Sequence, residues 1–206
     1  MKTKEYKAVV ETEIVCSDDG LNTFSVTKRL SNLDGEKGVI VLLYPTRNKD
    51  NLYAEDNTLN HLVSHMKELG LNELTIINLF STVVEGKLSA RGLQVDTDNL
   101  KFIDELMSKE NVGFDKFIIA WGSSMSTSFA CQRSKSELLN LFRKHFPKGK
   151  AYQLMTTDLD LRVEYAHPLF LGIRGKNELW SLSEVHITKE MLKLPEKKTP
   201  ENILEF

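Results

Sequence analysis

Four short runs constrain this chain most: Val39 to Tyr44 (VIVLLY), Leu74 to Phe80 (LTIINLF), Lys116 to Gly122 (KFIIAWG) and Ala151 to Thr157 (AYQLMTT). A strand with one wet face alternates apolar and polar residues. A run that stays apolar is suited to burial on both faces, as in the middle of a parallel sheet. Between the runs lie helical patterns. Leu59, Leu62, Val63, Met66 and Leu69 recur at helical spacing within DNTLNHLVSHMKELG. Asn57 or Thr58 suits the start of that helix and Gly70 its end. DTDNLKFIDELMSKE reads as a second amphipathic helix, and SELLNLFRKHF closes a third helical region. Strands alternating with helices predict an α/β fold, a three-layer αβα sandwich with a mainly parallel central sheet. Its central strands are expected at 39–44, 74–80, 116–122 and about 151–157.

The remaining segments are less regular. YKAVVETEIV and NTFSVTKRL mix apolar and polar positions, as edge strands do, with SDDGLN as a turn between them. Residues 81–97 form a long loop, of a length that is often functional. LPEKKTPENILEF reads as a loose extension. One domain over residues 1–206 is expected, with its core at about 25–187 and a tail at about 188–206.

Bulk properties narrow the class. Hydrophobic residues make up 41% and charged residues 27% of 206, an ordinary globular balance. The net charge of −2 lacks the basic surplus of a non-specific binder of long nucleic acid. No apolar stretch approaches the ~20 residues of a membrane span, and MKTKEYKAVVETEIVC lacks the apolar core of a signal peptide. A cytoplasmic protein without membrane partners is expected, with Cys16 and Cys131 as free thiols.

The strand ends carry the distinctive residues: Tyr44-Pro45, Asn78-Leu79-Phe80, Trp121-Gly122 and, after the fourth strand, His167-Pro168. In a parallel sheet these ends share one edge, where open α/β sheets bind ligands. Tyr44, Pro45, Thr46, Asn48, Asn78, Phe80, Trp121, Gly122 and His167 are therefore the candidate ligand-binding residues, with His167 the candidate catalytic group. Each also has a structural reading. Pro45 stops a strand, Asn78 satisfies loop backbone, Trp121 packs, and a lone histidine is more often structural. Other motifs are absent. There is no P-loop and no dinucleotide fingerprint. GSSMS, residues 122–126, lacks the second glycine of a nucleophile elbow, and no base for Ser123 or Ser124 is evident. His61 and His65 lie one helical turn apart without the glutamate of H-E-x-x-H, and they read as surface residues rather than metal ligands. No metal or cofactor is expected.

The ordered set LLYPT, DNTLNHLVSHMKELG, LTIINLF, DN, AWG and HPLFLG resembles a bacterial domain-of-unknown-function family, number 1643 (DUF1643), over roughly residues 25–175. The same order of strand-end motifs is also similar, more distantly, to the uracil-DNA glycosylase superfamily. That second resemblance implies a glycosylase-like fold. It sets Tyr44-Pro45 at the water-activating motif, Asn78 near the base-reading position and His167-Pro168 at the loop that stabilises the departing base. Glycosidic cleavage needs a polar group to orient water and a donor for the leaving base, and a flipped base is read by hydrogen bonds to its edge. This chain departs from the pattern. Tyr44 stands where a carboxylate or Asn is expected, and a phenol with a pKa near 10 activates water poorly at neutral pH. Leu-Phe-Leu follows His167-Pro168 where glycosylases have small polar residues. Asn48 and Asp50 lie close enough in sequence to reach back.

The resulting expectation is a protein that binds a nucleobase, nucleotide or nucleic-acid end and is weak or inactive as a glycosylase. Two alternatives stay open. One is a hydrolase of another type using Asp50, Asp56 or His167. The other is a non-enzymatic interaction or scaffold protein in phage defence or DNA metabolism. A basic cleft formed by Arg47, Lys49, Arg91 and Arg174 would favour nucleic acid.

Overall fold

A computed structural model describes residues 3–5, 7–46, 51, 54, 56–84, 86, 88–108, 113–175 and 177–196. In chain order the strands are β1 (Val10–Cys16), β2 (Thr23–Leu30), β3 (Glu36–Leu42), β4 (Leu71–Asn78), β5 (Lys116–Ile119), β6 (Ala151–Thr156) and β7 (Trp180–Val185). The α-helices are α1 (Asn57–His65), α2 (Thr97–Ser108), α3 (Phe129–His145), α4 (Pro168–Arg174) and α5 (Lys189–Leu192). The strands form one sheet in the order β1-β2-β4-β3-β5-β6-β7. Each of the four apolar runs falls on a strand, and each strand ends one to three residues before its run does. They sit together as β4-β3-β5-β6, mutually parallel.

The sheet as a whole is mixed rather than mainly parallel. Three of its six ladders, β1–β2, β2–β4 and β6–β7, are antiparallel. β1 and β2 are joined by residues 17–22 alone, too short for the crossover that parallel pairing requires. β2 is also not an edge strand. It lies between β1 and β4, and Thr23, Ser25, Val26, Thr27 and Lys28 are buried.

Side chains alternate through the central strands and divide the core. Val39, Val41, Ile77, Phe117 and Ile119 pack with α2 and α3 through Leu100, Ile103, Leu138, Leu139 and Phe142. Ile40, Leu42, Leu74, Ile76 and Ile118 pack on the other face with α1 and α4 through Leu62, Met66 and Leu171. A strand apolar at every position is the natural consequence of having both faces covered.

Two further expectations change. The side chain that caps α1 is Asp56, whose Oδ1 accepts from the Leu59 N–H at 2.8 Å. Asn57 and Thr58 are the first helical residues instead. The regular helix ends at His65, and turns carry the chain to Gly70, which adopts φ +71°. Residues 188–196 do not hang loose. Thr188 caps α5, and α5 packs on α3 through hydrogen bonds from Asn140 Nδ2 to Leu192 O at 2.8 Å and from Ser136 Oγ to Lys193 O at 3.0 Å. Residues 197–206 lie outside the described residues. Among the described residues no helix is long and apolar enough to cross a membrane.

The contact between α1 and α4 is unusually close. A Cβ added to Gly172 would fall 2.2 Å from Cγ of the His61 ring, so only glycine fits. His65, one turn on, stacks on Trp180 with ring centroids 3.9 Å apart. The two histidines are packing residues, and no cluster of metal ligands occurs among the described residues. Gly172→Ala is expected to lower stability by about 1–3 kcal/mol, the range for overpacking a core contact. Gly113→Ala, where nothing lies within 4 Å, should change it by less than about 0.5 kcal/mol. Chemical denaturation of both variants checks the contrast.

Candidate functional site

Winding reverses between β3 and β5. β3 leads through α1 to β4 on one side, and β4 leads through α2 across to β5 on the other. Such a reversal leaves a crevice beyond the carboxyl ends of the strands, because the connecting helices depart to opposite faces. A cavity of about 570 Å³ occupies it. That volume lies within the range of small-molecule sites. Tyr44, Pro45, Thr46, Asn78, Trp121, Gly122 and His167 all line it. The structure thus brings together seven of the nine residues singled out in the sequence. Asn48 lies outside the described residues, as do Arg47, Lys49 and Asp50. Phe80 is turned away. β4 stops at Asn78, the alternation ends there, and Leu79 and Phe80 both enter the core on the α2 side.

The walls are largely apolar, with Val26, Leu42, Leu59, Ile76 and Ala166 among them. Two polar atoms stand out against that lining. Asn78 is 4% exposed and Thr23 1% exposed, and both Asn78 Oδ1 and Thr23 Oγ1 are buried with no hydrogen-bond partner among the described residues. Buried polar atoms are almost always paired, so such an exception calls for a reason. Neighbouring backbone groups, by contrast, are paired. Asn99 Nδ2 donates to Asn78 O at 2.8 Å, Leu79 N to Leu42 O at 3.0 Å, and Thr23 N to Ser81 O at 2.8 Å. Asp96 accepts from the Ser81 N–H and hydroxyl and from the Asn99 N–H, fixing the start of α2 against the end of β4. The strand end is rigidly held, and Asn78 lines the cavity with its side-chain oxygen buried and unpaired among the described residues.

His167 caps α4. Its Nδ1 accepts from the Leu169 N–H at 3.3 Å, which assigns the proton of the neutral ring to Nε2. Burial holds the ring pKa down at about 4, against a smaller opposing pull from Asp56. The imidazole is therefore neutral at physiological pH, a donor through Nε2 rather than a cation. Gly122 makes room for it. Gly122 adopts φ +69°, its N–H donates to Tyr165 O at 2.8 Å, and a Cβ there would lie 3.3 Å from His167 Cβ.

Asp56 brings a carboxylate to the cavity from the α1 cap. Its Oδ2 accepts the Thr46 hydroxyl and its Oδ1 the Leu59 N–H. Each oxygen keeps one further acceptor position. Ser123, Ser124 and Arg174 also line the cavity, whereas Arg91 does not. With Asp56, Glu164 and Arg174 on the same lining, the described part of the cavity wall is mixed in charge. Thr23 escaped sequence reasoning, because nothing separates it from any other strand threonine until its hydroxyl is found unpartnered.

The family model described as "Protein of unknown function (DUF1643)" matches residues 25–169. The chain belongs to this family. No curated protein and no solved structure matches it. The matched span runs from β2 into the first turn of α4, so it contains Tyr44, Asn78, Asn99, Trp121 and His167. Four of these line the cavity, and Asn99 braces the backbone of one that does.

The depressed pKa has a measurable consequence. Below pH 6.5 the unfolded chain takes a proton at His167 that the folded chain refuses until about pH 4. This contribution is fully present above pH 6.5 and is lost progressively as pH falls toward 4. His167→Asn keeps an acceptor at the cap and removes the titration. The stability difference between wild type and His167→Asn should therefore shrink on going from pH 7 to pH 4.5. An NMR titration of the ring should give a midpoint near 4, and a midpoint near 6.5 would contradict the burial argument.

Proposed function

We propose that this protein binds a small ligand bearing a nucleobase, a nucleoside or nucleotide, in the cavity at the carboxyl edge of the sheet. The observation that carries the reading is Asn78 on the lining of an apolar-walled cavity, its buried Oδ1 without a hydrogen-bond partner among the described residues. An acceptor left in that state costs about 1–3 kcal/mol, which a planar ligand with an edge N–H would recover. Apolar walls suit the faces of such a ring, and a few placed polar groups fix its orientation. Thr23 Oγ1 and the neutral His167 Nε2–H supply one further hydroxyl and one donor. A free small molecule is favoured over a nucleic-acid strand, because among the described residues the lining carries Asp56 and Glu164 beside Arg174 and shows no row of cations for phosphates.

Glycosylase-like activity is not part of this reading. Tyr44 occupies the position that the sequence resemblance gives to the water-activating group, and little or no uracil excision is expected. One observation favours a second reading, glycosidic hydrolysis of a free nucleoside. Asp56 and His167 face the same cavity closely enough for the carboxylate to influence the ring. Asp56 would then orient water, and His167 Nε2–H would stabilise the departing base. Base release from nucleosides that Asp56→Asn abolishes would establish that reading.

The binding reading is tested by calorimetric titration of nucleobases and nucleosides. Asn78→Leu is expected to weaken binding about 5- to 150-fold, corresponding to ~1–3 kcal/mol for a lost buried partner. Thr23→Val should weaken it less or equally, and Phe80→Leu should leave affinity unchanged within twofold. A panel in which no base or nucleoside binds, or in which Asn78→Leu has no effect, would overturn it.

A further inference from the structure

A second cavity, of about 720 Å³, adjoins the first at the same sheet edge but lies against α3 and α5. Trp121, Gly122, Ser123, Val163 and Glu164 line both cavities, so the two share this strip of wall. The feature that sets the second cavity apart is Lys135, on the second turn of α3. Its side chain is half-buried, and its Nζ lies 5.1 Å from the centroid of the Trp121 ring. Among the described residues no carboxylate comes within ion-pair distance of it. Lys116, also partly buried, differs in having a carboxylate partner, Glu36, at 3.1 Å, and Lys150 pairs with Glu184 on the open surface.

A half-buried cation without a counterion is costly, and contact with an aromatic face offsets only part of the lost hydration. Burial lowers the Lys135 amine from its ordinary pKa, with only a small opposing effect from the Cys131 thiol one turn earlier. The other titratable groups on the lining are Glu164, Tyr165, Glu190 and Lys193. Ser123, Ser126 and Gln132 add uncharged hydrogen-bonding groups around the ammonium. What favours an oxyanion here is a half-buried ammonium with no ion-pair partner among the described residues and uncharged donors around it, on a wall that also carries Glu164, Glu190 and Lys193.

We propose that the second cavity is an oxyanion site centred on Lys135, and that it receives the phosphate of the ligand whose base occupies the first cavity. The proposal rests on the nucleobase reading for its second half. It narrows the ligand class from nucleosides in general to phosphorylated ones.

The test compares Kd values for a nucleoside and its 5′-monophosphate with wild type, Lys135→Met and Lys135→Arg, together with NMR titration of the Lys135 amine after ¹³C-dimethylation. Wild type should bind the monophosphate at least about tenfold more tightly than the nucleoside. Lys135→Met should bring the ratio near one without changing the nucleoside Kd, and Lys135→Arg should keep most of the gain. The monophosphate should raise the Lys135 pKa, and the nucleoside should not. Equal affinities in wild type, or a gain that survives in Lys135→Met, would overturn the proposal while leaving nucleoside binding intact. Inorganic phosphate and acetate separate the two halves. If no nucleoside binds but inorganic phosphate raises the Lys135 pKa, the oxyanion site stands and the nucleobase reading fails. If inorganic phosphate, acetate and the monophosphate all leave that pKa unmoved, Lys135 is not an anion site.

Discussion

The reversal of winding between β3 and β5 is the constraint on which the rest of the molecule depends. Helices on the two faces draw apart at that point, and the sheet edge beneath them cannot be closed by either layer. Every feature of the candidate site follows from its place around this gap. Tyr44 and Trp121 leave the two strands on either side of it. Asn78 ends the next strand over. His167 and Asp56 stand at the starts of the two helices, α4 and α1, that cover one face. The Gly172–His61 contact holds those helices together behind the opening.

Polar groups around the gap fall into two kinds. Backbone groups at the end of β4 are paired, through Asn99, Asp96 and Ser81, in a network that leaves little freedom. Two side-chain atoms of lining residues, Asn78 Oδ1 and Thr23 Oγ1, are buried with no partner among the described residues. Rigid support beneath unsatisfied recognition groups is the arrangement that lowers the entropic cost of binding, since the groups are already in position. The neutral His167 fits the same pattern. Burial removes its charge and leaves a donor that needs no counterion.

Legibility in the sequence followed burial. The four central strands were readable because both their faces are covered, which makes the runs continuously apolar. β2 was misread as an edge because its buried positions include Thr23, Ser25, Thr27 and Lys28, polar residues that suggest a wet surface. The strand-end residues were readable as a group because a parallel core places them on one edge, whatever each does alone. Phe80 failed because the reading carried β4 two residues beyond its actual end. Asp56, Asn57 and Thr58 are all good capping types in sequence, and only the backbone tells that Asp56 stands first outside the helix. Lys135 could not have been found, since a lysine in the middle of an amphipathic helix is ordinarily solvated.

The most direct measurement is a crystal structure of the protein soaked with a nucleobase. The account predicts the ring in the cavity between α1 and α4, with a ring or exocyclic N–H within hydrogen-bond distance of Asn78 Oδ1. A base bound elsewhere on the surface, or seated in the cavity with Asn78 Oδ1 still unpartnered, would contradict it.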